Sequence, residues 1–293
     1  MNIGLSAEST IDLQPEYLKK WNINTIHFHV QKGSESSGFD NEYTTDELCK
    51  YTIASGELCH TSACNLEELK EHFDQLLKKY DYIIHFTIAG VLSSGYSNAC
   101  IVADGNPRIA VIDSQVTSGG MAVQAIYARE LIDNGYPFDA VVKKIIERRP
   151  FASCTFQLDR LDFLYKGGRC SRLAYYGTNL FSIKPEIVCN PEKGGEFGIG
   201  KKYRGKTKKC ILKYVDDLLE SHPNIDPNIG CLNISTMEDK SVISEVRAKM
   251  EKAGFKNILF NVASPTNAYH SGPNVLGVHF YYDGPHPVTP YKK

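Results

Sequence analysis

Three short stretches set hydroxyl groups just ahead of helical patterns, in a form suited to holding a small anion. In "HTSACNLEEL" (60–69), Thr61 and Ser62 precede Asn65, and Glu68 follows Asn65 by three. Leu66, Leu69, Phe73, Leu76 and Leu77 then recur at helical spacing. Asn65 and Glu68 therefore form a capping box, and Thr61 and Ser62 fall in the loop that feeds the helix. Such a helix start offers unpaired backbone N–H groups and the positive end of the dipole. "GVLSSGY" (90–96) repeats the arrangement with Ser93 and Ser94, and "DSQVTSGG" (113–120) is a third hydroxyl-rich turn. Plain capping accounts for each stretch singly. Convergence of all three on one sheet edge would make an N–H-rich pocket.

Other reactive side chains carry less. His27 and His29 lie two apart on a strand pattern without a carboxylate or thiol at ligand spacing, so packing or surface histidines are expected there. Cys59 and Cys64 flank the Thr-Ser pair, but no base accompanies them and buried thiols are the plainer expectation. His270 sits in "YHSGPNVLG", a Gly-Pro turn in which a histidine serves as acid/base, donor or simple turn residue. Six basic residues fall within Lys201–Lys209, and Arg169 and Arg204 each adjoin glycine, as at a docking or phosphate-facing surface. Neither G-x-x-x-x-G-K-[ST] nor G-x-G-x-x-G after a strand is present, which leaves nucleotide binding without support.

The elements that must position these residues alternate. "NIGLS", "TIHFHV", "YDYIIHFTI" and "RIAVIDS" are strand patterns, separated by helical stretches at 15–21, 45–55, 66–80, 96–103 and 120–134. That order predicts a doubly wound, mostly parallel α/β sheet, with ligands at the carboxyl ends of its strands. A further helix, "PFDAVVKKIIERRP", leads into the strand-like "ASCTFQL". Beyond Leu158 the sequence turns Gly-rich and basic, with helices near 208–221 and 240–253 and strands "IGCLNIS" and "NILFNV". Two domains are expected, an α/β domain over 1–158 and an α+β domain over 159–293.

The chain has 293 residues, 42% hydrophobic and 23% charged, with a formal net charge of −1 that gives no drive toward nucleic acid or anionic membrane. No stretch approaches the ~20 apolar residues of a membrane span. Nine cysteines without a C-x-x-C pair, and a start unlike a signal peptide, lead us to expect a cytoplasmic protein with reduced thiols.

The ordered set of segments resembles the DegV family of bacterial fatty-acid-binding proteins, which includes the acyl-carrier subunits of fatty acid kinases. "ESTIDL" (8–13) is similar to the family's D-S-T/S-x-D-L, with Glu8 for the first Asp. "TSACN" matches T-S-x-P-S at Thr61 and Ser62, and "LSSGY" matches L-S-G-T-Y at Leu92, Ser93 and Tyr96. "VIDS" (111–114), "LYKGGRCSR" (164–172), "IKPEI" (183–187), "KYRGK" (202–206) and "HSGPNVLG" (270–277) follow in order. Ala89-Gly90 replace the usual serine pair, and Ser94 and Gly95 stand at the Gly-Thr positions. The resemblance implies a fatty-acid carboxylate held by Thr61, Ser62, Ser93 and Ser94 with His270 close by, and an acyl tunnel between the two domains. It implies Arg169 and Arg204 on a surface that faces a separate kinase, which phosphorylates the bound fatty acid to an acyl phosphate. The expected protein is thus a lipid-binding carrier and no independent enzyme. It would have no cofactor, no metal and no nucleic-acid partner, and would touch membranes only transiently for lipid exchange. A hydrolase or acyltransferase using Ser93 or Cys64 with His270 is the alternative, although no G-x-S-x-G elbow is present. RNA or DNA binding through Lys201–Lys209 is the third.

Overall fold

The computed structural model describes residues 2–57, 59–170 and 183–292. Near-continuous apolar strands form the parallel sheet: β1 (Ile3–Glu8), β2 (Ile23–Ile26), β6 (Tyr82–Thr87) and β7 (Ile109–Asp113), in the order β2-β1-β6-β7. Between them lies a small antiparallel sheet of β3 (His29–Gln31), β4 (Gly38–Phe39) and β5 (His60–Ser62), ordered β4-β3-β5. "TIHFHV" is therefore two strands in two sheets. The chain leaves the parallel sheet where His27 Nδ1 meets Asp40 Oδ1 at 2.8 Å and the Asp40 N–H bonds the Phe28 carbonyl.

The helices follow the periodicity closely: α1 (Pro15–Lys20), α2 (Thr45–Ser55), α3 (Leu66–Leu77), α4 (Gly95–Ala103), α5 (Gly119–Asp133) and α6 (Phe138–Arg148). α5 is buried nearly all round, as suits a helix between two sheets. Its first residue must be glycine, since a Cβ at Gly119 would stand 2.4 Å from His279 Cδ2.

The second sheet has six strands: β8 (Thr155–Gln157), β9 (Lys184–Asn190), β10 (Glu196–Tyr203), β11 (Ile229–Ile234), β12 (Asn257–Val262) and β13 (Leu276–His279). Their order is β10-β9-β8-β13-β11-β12, and among the described residues only β11 and β12 run parallel in it. α7 (Asp162–Lys166), α8 (Thr207–Ser221), α9 (Ser241–Lys252) and α10 (Pro265–Ser271) complete it, with a second apolar core under α8 and α9 around Tyr214, Val246 and Phe280. The Gly-rich stretch after Asn190 holds β10, which sequence patterning missed because Gly198 and Gly200 weaken the strand signal. β8 precedes residue 159 yet belongs to this sheet, and one apolar core joins Ile84, Phe86 and Met121 to Phe156, Ile187 and Cys231. Among the described residues no helix is long and apolar enough to cross a membrane.

Candidate ligand-binding site

In the parallel sheet, the chain runs one way from β1 to β2 and the other way to β6 and β7. The crevice at such a switch point, beyond the strand carboxyl ends, is where open α/β sheets bind ligands. A cavity of about 270 Å³ lies there, closed on its far side by the second sheet. The loop after β1 contributes Asp12, the loop after β6 contributes Ile88, Leu92, Ser93 and Ser94, and the loop after β7 contributes Thr117 and Ser118. Thr61 and Ser62 enter from β5, while Phe156, Phe197 and Ile234 supply an apolar wall from the second sheet. The three hydroxyl-rich stretches do converge.

Thr61 and Ser62 lie on an edge strand rather than in a loop, opposite Val30 and His29. The capping box forms as expected: Glu68 N bonds Asn65 Oδ1 and Asn65 N bonds Glu68 Oε2, both at 2.9 Å. With Glu67 and Glu68 in the first turn, the start of α3 already holds its own negative charge. That helix end is therefore less available to a further anion than the nearby hydroxyls.

His270 lies in the last turn of α10, not in the tight turn that the sequence suggested. α10 begins at Pro265 behind an Ser264 N-cap and ends at Gly272, where φ is +83°. It is fixed on three sides. Thr266 bonds Asp40 Oδ2 (2.9 Å), the Asn267 amide bonds Asp12 Oδ2 and the Thr10 carbonyl (both 2.9 Å), and the buried Tyr269 hydroxyl bonds the Cys59 carbonyl. These anchors set His270 Nε2 at 2.9 Å from Thr61 Oγ1. Its Nδ1 is buried without a partner among the described residues, against Gly167, where a Cβ would approach to 2.5 Å. Burial, assisted by the Arg169 charge, pushes the ring's pKa down to about 3, so it is neutral.

Arg169 departs from expectation. It lines this cavity together with Thr61, Ser93 and His270, instead of standing apart from the hydroxyl loops. Its Nη1 donates to the Gly167 carbonyl at 2.6 Å, and it also borders an outer groove with Val91, Lys193 and Glu196. Following α7, the loop of Gly167 and Gly168 is what carries it inward. Arg204 is exposed just after β10 and does not line the cavity. In "LYKGGRCSR", Ser171 and Arg172 lie outside the described residues.

Several cavity residues escaped sequence reasoning. Asp12 accepts from Ser118 Oγ (2.5 Å), the Ser264 N–H (2.7 Å) and Asn267 Nδ2, while Thr117 donates to Asn267 Oδ1 (3.0 Å) and Asn233 Nδ2 to Ser118 Oγ (2.8 Å). Ser118 is held at φ +55°, a strained position that these bonds and Ser118 N to the Thr10 carbonyl maintain. The local signals were present in "ESTIDL" and "DSQVTSGG", but the partners lie more than 100 positions away. His279 also lines the cavity.

The departures from the family pattern have local reasons. A Cβ at Gly95 would stand 1.9 Å from Glu8 Oε1, so the longer acid at 8 occupies the space that a side chain at 95 would need. Burial pushes the Glu8 carboxyl up to about 8, against the lowering effect of the Ile88 N–H it accepts. Gly195, at φ +92°, turns β9 into β10 hard against Ala89 and the Gln115 backbone, which leaves no room for larger groups.

The other candidates are occupied. His29 pairs with Glu68 (2.9 Å). The buried Cys64 thiol donates to the His27 carbonyl (3.0 Å), and burial pushes its pKa far up. Lys208 meets Glu245 at 2.6 Å and Lys201 lies 3.9 Å from Asp217, so the basic run is partly neutralised.

Comparison with known proteins gives this arrangement a context. The model of the DegV family, described as uncharacterised proteins, matches residues 2–283. A fatty acid-binding protein of Thermotoga maritima is 24% identical over 285 residues, 94% of this chain and 96% of that one. Among solved structures, a fatty-acid-binding DegV family protein of Thermus thermophilus superposes with a TM-score of 0.83 at 24% identity, covering 96% of this chain and 100% of that one. The Streptococcus pneumoniae fatty acid kinase (Fak) B3 protein loaded with linoleic acid superposes with a TM-score of 0.79 at 19% identity, covering 97% and 100%. With its family model matched along almost the whole length, the chain belongs to the DegV family.

Proposed function

We propose that this protein binds one long-chain fatty acid in the cavity and presents the carboxylate to a separate kinase. The observation that carries this reading is the cluster of hydroxyls with protons left to donate at one end of the cavity, beside the apolar wall of Phe156, Phe197 and Ile234. Neither Ser62 nor Ser94 makes a side-chain hydrogen bond among the described residues, and Ser93 Oγ only accepts, from Gly95 N at 3.2 Å. A neutral His270 that donates from Nε2 to Thr61 Oγ1 leaves the Thr61 O–H free to donate to a carboxylate oxygen. Arg169 supplies the positive charge. An acyl chain with about 14 buried methylenes gains roughly 11 kcal/mol gross, so the head group needs only enough donors to avoid an unpaired buried charge.

The kinase-facing role rests on the likeness to the fatty acid kinase B3 protein and on Arg204, exposed and outside the cavity. In that role the kinase transfers a phosphoryl group to the bound carboxylate, and this chain contributes position rather than bond-breaking groups. A hydrolase is less well supported. His270 faces Thr61 instead of Ser93, its second nitrogen meets no orienting carboxylate, and Cys64 is a buried donor.

Extraction of the purified protein with organic solvent, followed by mass spectrometry, tests the reading. About one equivalent of long-chain fatty acid is expected. Absence of bound lipid together with no uptake of added fatty acid would refute it, and kinase-free turnover of acyl esters lost in Ser93→Ala would favour the hydrolase.

A further inference from the structure

Behind the second-sheet wall of the cavity stand two thiols that lipid binding does not use. Cys154, next to β8, and Cys189, in β9, face each other across an antiparallel pair, with the Cys189 N–H on the Cys154 carbonyl at 2.9 Å. Their Sγ atoms are 3.1 Å apart. Cys154 Sγ also donates to the Thr117 carbonyl at 3.4 Å, and His279, whose Nδ1 is buried without a hydrogen-bond partner among the described residues, is near enough to act on its charge. Thr117 and His279 both line the cavity, so the thiol pair sits directly behind its wall.

We propose that Cys154 and Cys189 form a dithiol oxidised by hydroperoxides, in which Cys154 attacks, His279 takes its proton and Cys189 resolves the product. Burial pushes the Cys154 thiol up, but the bond from Cys189 and the nearby His279 outweigh it and hold the thiol below its ordinary value. Cys189 is held high by burial and by its neighbour, which suits the partner that keeps its proton until the second step.

The chemistry balances with the peroxide as the only co-reactant. The Cys154 thiolate attacks the terminal peroxide oxygen, the O–O bond breaks, and the alkoxide or hydroxide leaves with the proton held by His279. Cys154 is now a sulfenic acid. Cys189 Sγ attacks that sulfur, the S–O bond breaks, water leaves and the S–S bond forms. Two thiols lose two electrons in all, and the peroxide becomes an alcohol, or water, plus one water.

The site does not depend on what fills the cavity, so its test is independent of fatty-acid binding. Full-length reduced protein is exposed to hydrogen peroxide in one arm and to linoleic acid hydroperoxide in the other, alkylated, and mapped by peptide mass spectrometry. The expected product is a Cys154–Cys189 disulfide formed before the half-buried Cys100 is modified. A faster lipid arm marks delivery through the cavity, and a faster hydrogen peroxide arm marks entry of the small oxidant. In Cys189→Ser, oxidation should stop at a Cys154 sulfenic acid trapped by dimedone. His279→Gln should slow disulfide formation about tenfold or more. Oxidation of Cys100 in both arms without a Cys154–Cys189 link would overturn the proposal, and an unchanged rate in His279→Gln would remove the histidine from it.

Discussion

The cavity has two polar regions, and they differ in what their hydrogen bonds do. Inward, Asp12, Thr117, Ser118, Asn233 and Asn267 bond one another, and the hydroxyls of Thr117 and Ser118 are both donated. At the end where Ser62 and Ser94 reach the surface, hydroxyls remain undonated beside a neutral histidine and an arginine. Both regions look equally polar in sequence. The second has hydroxyl protons left to give, and that, rather than density of polar residues, singles it out. The inner network is a brace between the two sheets, and the outer cluster is where we propose the head group.

Breaking the brace should have the largest effect. Asp12→Ala leaves the donors of Ser118, Ser264 and Asn267 without their acceptor and should cost roughly 3 kcal/mol of stability, since each orphaned buried group costs about 1–3 kcal/mol. Urea unfolding measures it, and a loss below about 1 kcal/mol would show that the network does not brace the fold.

Thr61→Ala reverses the pattern. It should weaken fatty-acid affinity by roughly 1–3 kcal/mol, by leaving a carboxylate oxygen short of a donor, and should cost the lipid-free fold less than Asp12→Ala, about 1 kcal/mol, as His270 Nε2 loses its one partner among the described residues. Equal affinity in isothermal titration would put the head group elsewhere.

How much of this was legible beforehand follows the range of the interactions. The capping box and α2 rest on residues three or four apart and the parallel strands on short apolar runs, and local pattern fixes such features. The convergence of "LSSGY" and "DSQVTSGG" follows from a rule about strand ends, whereas Thr61 and Ser62 reach the cavity from β5, an edge strand of the small antiparallel sheet. Arg169 was misplaced because the direction of the Gly167-Gly168 loop depends on His270, some 100 residues later, packing on Gly167. β10 was hidden by its glycines, and the Asp12 network by the distance along the chain between partners. Long-range pairing has no local signature.

Acidity sharpens the contrast further. Burial holds His72 at about 4 and His85 at about 3, as it does His270, and Ser6 Oγ bridges the first two at 2.7 and 2.9 Å. Their ordinary value is 6.5, so below it the unfolded chain binds protons that the folded chain refuses. The share of stability owed to these rings should therefore be present above pH 6.5 and be lost progressively as pH falls toward about 4, while the raised carboxyls of Glu8 and Asp12 act in the opposite sense. His85→Gln should flatten that decline. Bound fatty acid should flatten it as well, because a carboxylate beside His270 raises that ring's pKa, and an identical pH profile with and without lipid would separate His270 from the head group.

The smallest effect on the molecule itself belongs to Arg204→Ala. Affinity and stability should stay within about 0.5 kcal/mol of the parent, as at an exposed site without buried partners, while phosphorylation of bound lipid by the kinase falls. A loss of lipid affinity would tie Arg204 to the cavity after all.

The central claim is that a carboxylate lies against Thr61 and His270, and carbon-13 NMR of carboxyl-labelled palmitate tests it most directly. The account predicts a single bound carboxyl resonance, distinct from free palmitate, that shifts in Thr61→Ala and in His270→Ala. No bound resonance, or one that neither substitution moves, would contradict it.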